Sequence, residues 1–413
     1  MAFDLEDALR ETLQREGSDL HIKVPARPYV RVQGRLVELE HLPRVTPDDT
    51  RALLDRMMPS NHKRKIFESR GSAEFSHYID EGRFRVSAFH QRGSVAFVFR
   101  AIRPAPDFAE LGLPAVVGSW IDARRGLVLI TGPTGAGKST TLASMIKLIS
   151  ERKPCHIITL EDPVEYLHPD AQALVSQREI ERDAPTYQEA LRAALRHDPD
   201  VLAIGDIRDE GTAMTALRAG ESGHLVIGAV HAATPYEAIK YIEELSRSHE
   251  SLARQQLAAT LVGIVSQRLV PSTIGRPLVN AEVLVNTARV ADLIRDRDLS
   301  AAVFTNAIAE GGYYGMQTFD ADLTAHVRAG HITMAEAMSF ASNPSDLRLG
   351  MHASEMAKRE ESEGATSEGA MSEGSMSERE TSEGEAFERE KSDSELSEGG
   401  MPKVDGAITS TNG

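Results

Sequence analysis

Apolar and polar positions over the first 105 residues follow the periods of short helices and short strands. Residues 4–16 and the segment "DDTRALLDRMM" have amphipathic helical spacing. Alternation in "DLHIKV" and "YVRVQGRLVEL" predicts strands, and "FRVSAFHQRGSVAFVFRAI" predicts a hairpin that turns at Gly93. These patterns predict an α+β domain over residues 1–105, followed by a Pro-rich linker at 106–114.

From Leu127 onward the pattern changes to continuous apolar runs separated by helical stretches. The runs "GLVLITG", "HIITLEDP", "VLAIGDIRD" and "HLVIGAVHAA" predict buried strands, and "STTLASMIKLIS", "TYQEALRAALRH" and "GTAMTALRAGES" predict helices. Such alternation is typical of a parallel sheet covered on both faces. Residues 115–345 are therefore predicted to form an α/β domain, in which 251–340, including "SLARQQLAATLVGIVSQRL", are mostly helical.

The C-terminal segment has a composition of its own. A five-residue repeat, "SEGAT SEGAM SEGSM SERET SEGEA", starts at Ser362. Residues 351–413 hold 16 acidic and 6 basic side chains, which accounts for −10 of the net charge of −16. Because this segment has too little apolar surface to offset its ordering entropy, an acidic disordered tail is predicted over 346–413. A solubilising role and docking to a basic partner are the two interpretations.

Composition also excludes several classes of protein. The net charge of −16 argues against nucleic-acid binding, which needs a basic face. The single cysteine, Cys155, cannot form an intrachain disulfide, which suits a reducing compartment. No apolar run reaches the length of a membrane span, and the acidic N-terminus lacks a signal pattern. We therefore expect a cytoplasmic protein whose membrane role, if any, comes through partners.

The strongest chemical signal is "GPTGAGKST", which matches G-x-x-x-x-G-K-[ST] between a predicted strand and a predicted helix. Its glycines let backbone N–H groups cradle a pyrophosphate at a helix N-terminus. Lys138 would bridge the β- and γ-phosphates of ATP, and Ser139 would ligate Mg²⁺. The predicted nucleotide-binding residues are Gly132, Pro133, Thr134, Gly135, Ala136, Gly137, Lys138, Ser139 and Thr140.

Carboxylates follow two of the other predicted strands. Glu161, Asp162 and Glu165 lie within five residues, and such a group is repulsive unless a cation or an activated water lies among them. Carboxyl ends of parallel strands face the ligand crevice, which favours this interpretation over a solvated acidic turn. Asp206 ends another strand and is the natural Walker-B acid. The predicted Mg²⁺ ligands are thus Ser139, Asp206, Glu161 and Asp162.

Two histidines, His224 and His231, flank the apolar run "LVIGAV". They are interpreted either as core histidines with satisfied hydrogen bonds or as sensors of the γ-phosphate. No cysteine pair or close histidine spacing supports a separate metal site.

In this order and spacing, "GPTGAGKSTT", "EDPVEY", "GDIRD" and "ESGHLVIGAVHA" resemble the secretion traffic ATPases, most closely the type IV pilus retraction ATPases (PilT and PilU types). Upstream "SDLHIKVPARPYVRVQGRL" and "GRFRVSAF", and downstream "VSQRLVP" and "GMQTFDADL", extend the resemblance over residues 1–345. It implies a hexameric ring of subunits, each with a PAS-like N-terminal domain and a RecA-like ATPase domain. The implied function is a motor powering pilus retraction and twitching motility.

The resemblance also implies roles and partners. In this sequence it makes Glu165 the general base, Asp206 the Walker-B acid, His224 and His231 the histidine box, and Arg83, Arg85 and Arg100 contacts of the γ-phosphate. The implied partners are further copies of the chain, a paralogous retraction ATPase and an inner-membrane pilus platform protein. The chain would then act at the cytoplasmic face of the inner membrane.

Three departures from the family pattern limit the assignment. Asp206 stands where retraction ATPases typically carry Glu, "HAATP" replaces "HTTSA", and "ARVADLIRD" replaces the "AIRNLIRE" type of segment. They favour a PilU-like or divergent paralogue, and they leave open a nucleotide-binding accessory ring subunit with weak turnover. A pilus-assembly or type II secretion ATPase is a further alternative, but such proteins usually carry a four-cysteine zinc element, which Cys155 alone cannot form.

Overall fold

The computed structural model describes residues 3–58, 61–296, 300–345 and 347–349, apart from the side chain of His62. The described chain builds two sheets, one from residues 19–102 and the other from residues 126–285. The tail predicted over 346–413 falls outside the described residues except at 347–349, so it stays a prediction, as do the other domain boundaries.

The first sheet is antiparallel and has six strands in the order β3-β2-β1-β6-β5-β4. Its apolar face, which includes Phe84, Val86 and Phe99, packs against the helix that carries Leu5 and Leu9. The elements are α1 (Leu5–Gln14), β1 (Asp19–Ile22), β2 (Tyr29–Val32), β3 (Arg35–Glu38), α2 (Pro47–Met57), α3 (Asn61–Arg70), β4 (Ser72–Ile79), β5 (Gly82–Gln91) and β6 (Ser94–Ile102).

The predicted hairpin is confirmed, because Gln91 pairs with Ser94 across a turn at Arg92 and Gly93. Helix α3 and strand β4 were not predicted. Strand β4 alternates apolar and polar residues only in part, and its pairing with β5 is what extends it to eight residues. The PAS-like assignment of this region stays a prediction.

The second sheet has seven strands in the order β13-β12-β7-β11-β10-β8-β9. Six of them run parallel, and β13 pairs antiparallel with β12 at one edge. The elements are α4 (Ala115–Ser119), β7 (Gly126–Thr131), α5 (Lys138–Arg152), β8 (His156–Glu161), β9 (Leu174–Glu179), α6 (Tyr187–Ala194), β10 (Val201–Ile204), α7 (Glu210–Glu221), β11 (Leu225–Val230), α8 (Pro235–Leu245), α9 (Glu250–Thr260), β12 (Leu261–Val270), β13 (Leu278–Val285), α10 (Ala288–Arg295), α11 (Ala301–Glu310), α12 (Phe319–Arg328) and α13 (Met334–Phe340).

The prediction that residues 251–340 are mostly helical is wrong over β12 and β13. Helix α9 ends at Thr260, and the following "LVGIVSQRLV" is a strand between β7 and β13. The run is apolar enough to fit a helix or a strand, so periodicity alone cannot separate them. Its β-branched residues and its burial between two neighbouring strands decide for the strand.

Apolar side chains cover both faces of the second sheet. Because β7, β8, β10 and β11 are parallel, the segments that follow them gather at one edge, where the predicted chemistry lies. The predicted α/β architecture with a parallel-core sheet is confirmed. Within the described ranges, no helix is both long and apolar enough to cross a membrane.

Candidate nucleotide-binding site

The loop between β7 and α5 has three glycines with positive φ, a backbone conformation that favours glycine, at Gly132, Gly135 and Gly137. Gly132 has φ 149°, and a Cβ there would lie 2.4 Å from the carbonyl oxygen of Gln267. Gly137 caps α5 in the left-handed region with φ 89°. The loop therefore wraps closely around the start of α5, where the free backbone N–H groups of a helix N-terminus can bind an anion.

Gln267 on β12 anchors this loop from below. Its Nε2 donates to the carbonyl oxygen of Ala136 at 2.7 Å, and its Oε1 accepts from the Thr141 hydroxyl at 2.9 Å. The side chain is fully buried, so both amide atoms depend on these partners. Sequence reasoning did not single out this residue, because its contacts are formed only when β12 pairs with β7.

Lys138 begins α5 and folds back over the loop. Its Nζ donates to the carbonyl oxygens of Gly132 at 2.8 Å and Pro133 at 3.1 Å, and lies 3.4 Å from Nδ1 of His231. Burial lowers the pKa of Lys138, and the nearby Asp206 and Glu165 carboxylates oppose that effect. The ammonium group is thus held at the mouth of the loop, ready to bind an anion.

A cavity of about 570 Å³ joins the loop to the carboxyl edge of the sheet. Its lining brings together most of the predicted site, namely Thr134, Gly135, Gly137, Lys138, Ser139, Thr140, Glu161, Asp162, Glu165, Asp206, His231 and Arg100. Residues far apart in the sequence therefore face one cavity, which is large enough for a nucleoside triphosphate.

Asp206 and Ser139 fit a Mg²⁺ site. The Oδ1 atom of Asp206 is buried and has no hydrogen-bond partner among the described residues, and burial raises the pKa of this carboxyl group. Ser139 exposes its side chain to the same cavity. No three His, Cys, Asp or Glu side chains in the described part of the chain form a metal-binding group. The free Oδ1 of Asp206 and the exposed Ser139 hydroxyl suit Mg²⁺, which takes one or two protein ligands together with substrate phosphates and waters.

The three carboxylates of the acidic segment are separated in the structure. Oε1 of Glu161 accepts from the Thr159 hydroxyl at 2.6 Å and from Gln177 at 3.1 Å, and burial raises the pKa of Glu161. Asp162 pairs with Arg208 at 3.0 Å. The Glu165 side chain is 41% exposed, and its Oε1 lies 3.5 Å from Nη1 of Arg85. Glu165 is therefore the carboxylate best placed to contact a water in the cavity.

The three arginines predicted to reach the γ-phosphate differ in their surroundings. Arg85 and Arg100 are directly opposite each other on β5 and β6, and both line a second cavity of about 230 Å³ beside Glu165. Arg100 also binds Asp19 at 2.9 Å and Arg85 binds Glu74 at 2.6 Å. Like charges directly opposite are unfavourable, so an anion between them would be stabilising. Arg83 is absent from both cavity linings and pairs with Glu179.

The two histidines lie at opposite ends of β11. His231 is at the carboxyl end, 3.9 Å from Asp206 and inside the cavity lining. His224 precedes the strand, contacts Ser222 at 3.2 Å and the carbonyl oxygen of Ala219 at 3.1 Å, and does not line the cavity. Six residues of strand separate them by roughly 20 Å. Within one chain, only His231 can contact a nucleotide in this cavity.

Other cavity residues were not assigned from the sequence. Arg208 lies over the Tyr187 ring at 5.1 Å while it binds Asp162, and both Arg208 and Tyr187 line the cavity. His168 lies there too, and burial lowers its pKa to about 4, so it is neutral at pH 7. Arg208 belongs to the "GDIRD" segment, but its partners Asp162 and Tyr187 come from other elements. No local pattern in the sequence therefore predicts these contacts.

Comparison with known proteins finds chains that are similar to this one over most of its length. The family model described as Type II/IV secretion system protein matches residues 2–343. The type IV pilus retraction ATPase PilT of Pseudomonas aeruginosa is 37% identical over 345 residues, which cover 83% of this chain and 99% of that protein. The type IV pilus ATPase PilU of the same organism is 35% identical over 350 residues, or 84% and 91% of the two chains. The crystal structure of the pilus retraction motor PilT with bound ADP aligns with a TM-score of 0.75 and 38% identity, covering 84% of this chain and 99% of that one.

Proposed function

The chain belongs to the type II/IV secretion system protein family, and from that membership we propose that it is an ATP-hydrolysing motor of a type IV pilus machine, powering pilus retraction and twitching motility. One observation carries the proposal. A single cavity holds the phosphate loop, the Asp206 carboxylate, the Glu165 carboxylate and the Arg100 guanidinium. These are the groups that phosphoryl transfer to water requires.

The geometry supports a division of labour during hydrolysis. The loop N–H groups and Lys138 bind the β- and γ-phosphates at the start of α5. Glu165 accepts the proton of the attacking water. Arg85 and Arg100 add positive charge where negative charge develops on the γ-phosphate. Ser139 and Asp206 would hold Mg²⁺, which neutralises phosphate charge when bound.

His231 has a position from which it can sense the γ-phosphate, since it lies between Lys138 and Asp206. Its two ring nitrogens face groups that bind opposite ends of the phosphate–metal unit. The nucleotide state could then be transmitted along β11.

The assembly and the partners are part of the same proposal. We infer a homo-hexameric ring that binds an inner-membrane pilus platform protein at the cytoplasmic face of the membrane, with a paralogous retraction ATPase as a further ring partner. The identities of 37% with PilT and 35% with PilU are too similar to assign the chain to one type. The PilU-like or divergent assignment therefore rests on the sequence departures alone.

ATP hydrolysis by the purified full chain is the direct test. We expect Lys138→Ala to abolish nucleotide binding and Glu165→Gln to preserve binding while it lowers turnover by about 100-fold or more. Matched controls are Lys147→Ala and Glu151→Gln, which change the same residue types on α5 outside the cavity lining. Turnover that survives both site substitutions would refute the assigned roles.

A cellular experiment tests the direction of the motor. Deletion of the gene in the source strain should give excess pili and loss of twitching. Loss of pili would instead identify an assembly motor.

A further inference from the structure

Glu179, the last residue of β9, joins the first sheet to the second. Its side chain is only 8% exposed, and its Oε2 accepts from three donors. One is the Ser76 hydroxyl at 2.9 Å, one is the Arg83 guanidinium, and one is the backbone N–H of Val164 at 3.4 Å. Ser76 and Arg83 belong to β4 and β5, whereas Val164 belongs to the acidic segment after β8.

Arg83 donates two hydrogen bonds within this cluster, which consists of Ser76, Arg83, Val164 and Glu179. Its Nη2 donates both to Glu179 and to the Ser76 hydroxyl, the latter at 2.9 Å, and its side chain is 13% exposed. Separating two buried opposite charges leaves each without a partner and is strongly unfavourable. Arg83 is therefore held at the junction between the sheets, away from the cavity that Arg100 lines.

The cluster lies one residue from the proposed general base. Val164 immediately precedes Glu165, and β9 is fixed to β8 by the register pair Glu161 and Glu179. The backbone N–H of Ile180 donates to the carbonyl oxygen of Glu161 at 2.8 Å, just after that pair. Movement of the Glu179 carboxylate would therefore be transmitted to the backbone on both sides of the acidic segment.

We propose that Arg83 and Glu179 are positioning residues that hold the segment carrying Glu165 at the distance from the nucleotide that hydrolysis needs. The inference rests on the proposed role of Glu165. In this proposal Arg83 acts through Glu179 and does not contact the phosphate. A shift of about 1 Å in a catalytic group is enough to lower turnover strongly, so the effect on rate can be large without any contact to substrate.

A double-mutant cycle on ATP turnover by the full chain separates the two roles. We expect Arg83→Gln and Glu179→Gln each to lower kcat roughly tenfold, with KM for ATP within about twofold of wild type. The double variant should be no slower than the slower single variant, because both substitutions break the same unit. If Arg83 instead contacts the γ-phosphate, Arg83→Gln will lower kcat by the same factor in the Glu179→Gln background as in the wild-type chain. That result would overturn the proposal.

Hydrogen–deuterium exchange of residues 162–167 gives a readout that does not depend on catalysis. We expect faster exchange there in both single variants, with unchanged exchange in β7 and β10. Arg64→Gln is the matched control, since it removes the ion pair of Arg64 with Asp55 at 2.7 Å within the first domain and should alter neither readout. Unchanged exchange in both single variants would also overturn the proposal.

Two further comparisons cover a variant that fails to fold and a wild-type chain that hydrolyses no ATP. If Glu179→Gln fails to fold by circular dichroism, Ser76→Ala replaces it in the cycle and should slow turnover in the wild-type background but not in Arg83→Gln. If the wild-type chain itself hydrolyses no ATP, the proposed function fails, whereas the exchange experiment still decides whether the cluster fixes residues 162–167.

Discussion

Asp206 lies beside His231, with Oδ2 of the carboxylate 3.9 Å from Nε2 of the imidazole, at the carboxyl ends of the neighbouring parallel strands β10 and β11. The other carboxylate oxygen, Oδ1, is buried without a partner among the described residues. A buried carboxylate oxygen in this state fits a cation or a bound water rather than a purely structural role.

Removal of the Asp206 charge should therefore affect the metal side of the reaction. We expect Asp206→Asn to lower Mg²⁺-dependent ATP turnover on the order of 100-fold while ADP binding without Mg²⁺ is retained. Steady-state turnover over a range of Mg²⁺ concentrations and equilibrium ADP binding measure the two effects. Asp209→Asn is the control, because Asp209 caps α7 through the N–H of Thr212 at 2.8 Å and asparagine caps equally well. Equal losses in the two variants would contradict the assignment.

Lengthening the same side chain tests whether aspartate limits turnover. The family resemblance of the sequence implies glutamate at this position, and glutamate is one methylene longer than the aspartate of this chain. We expect Asp206→Glu to raise kcat several-fold and to lower the Mg²⁺ concentration for half-maximal activity. Unchanged or slower turnover would show that the surrounding loop is built for aspartate. Such a result would also remove the main support for a weakly active accessory subunit.

Gln267 should control nucleotide affinity although it lies beneath the loop. We expect Gln267→Leu to lower the free energy of unfolding by about 1–3 kcal/mol, because the carbonyl of Ala136 and the hydroxyl of Thr141 lose their buried hydrogen-bond partner. We also expect it to raise KM for ATP about tenfold or more, because the loop loses this anchor. Gln256→Leu is matched to it, since Gln256 is similarly buried but contacts Glu221 far from the loop. The control should lower the melting temperature without raising KM. A normal KM in Gln267→Leu would refute the anchoring role.

The raised pKa of Glu282 predicts how the stability of the fold depends on pH. Burial raises its pKa from 4.5 to about 7, while the backbone N–H of Phe319 and the Arg268 guanidinium oppose the rise and Asp320 adds to it. The native state then keeps a proton that the unfolded chain loses above pH 4.5. The contribution of this group to stability therefore falls as pH rises from 4.5 to about 7, by a few kcal/mol in total.

Thermal melting at several pH values checks this sign. We expect Glu282→Gln to melt at a higher temperature than wild type at pH 8 and at a similar temperature at pH 4.5, because glutamine carries no charge at either pH. Glu336→Gln serves as a comparison, since hydrogen bonds from Thr333 lower the pKa of Glu336, so its stabilisation is present above the unfolded pKa and is lost as pH falls. A stabilisation by Glu282→Gln that grows toward acid pH would contradict the prediction.

The sequence by itself determined the local parts of the site. The spacing of "GPTGAGKST" between an apolar strand and a helix fixed the phosphate loop, because its glycines and the helix start form one local unit. Runs that end in Asp206 and Glu161 fixed carboxylates at the sheet edge, because carboxyl ends of parallel strands share one edge. The resemblance carried by these motifs identified the family that the comparisons confirm.

Only the tertiary structure decided which partner each side chain takes. Arg83 meets Glu179 across 96 residues and Gln267 meets Ala136 across 131 residues, through contacts between elements that carry no mutual signal in the sequence. His224 and His231 look equivalent in the sequence, but a parallel strand places them at opposite edges of the sheet. The run after Thr260 fits a helix or a strand, and pairing with β7 and β13 made it a strand. Periodicity fixes an element and its buried face, whereas contacts between elements depend on how the sheets pack, which local patterns do not encode.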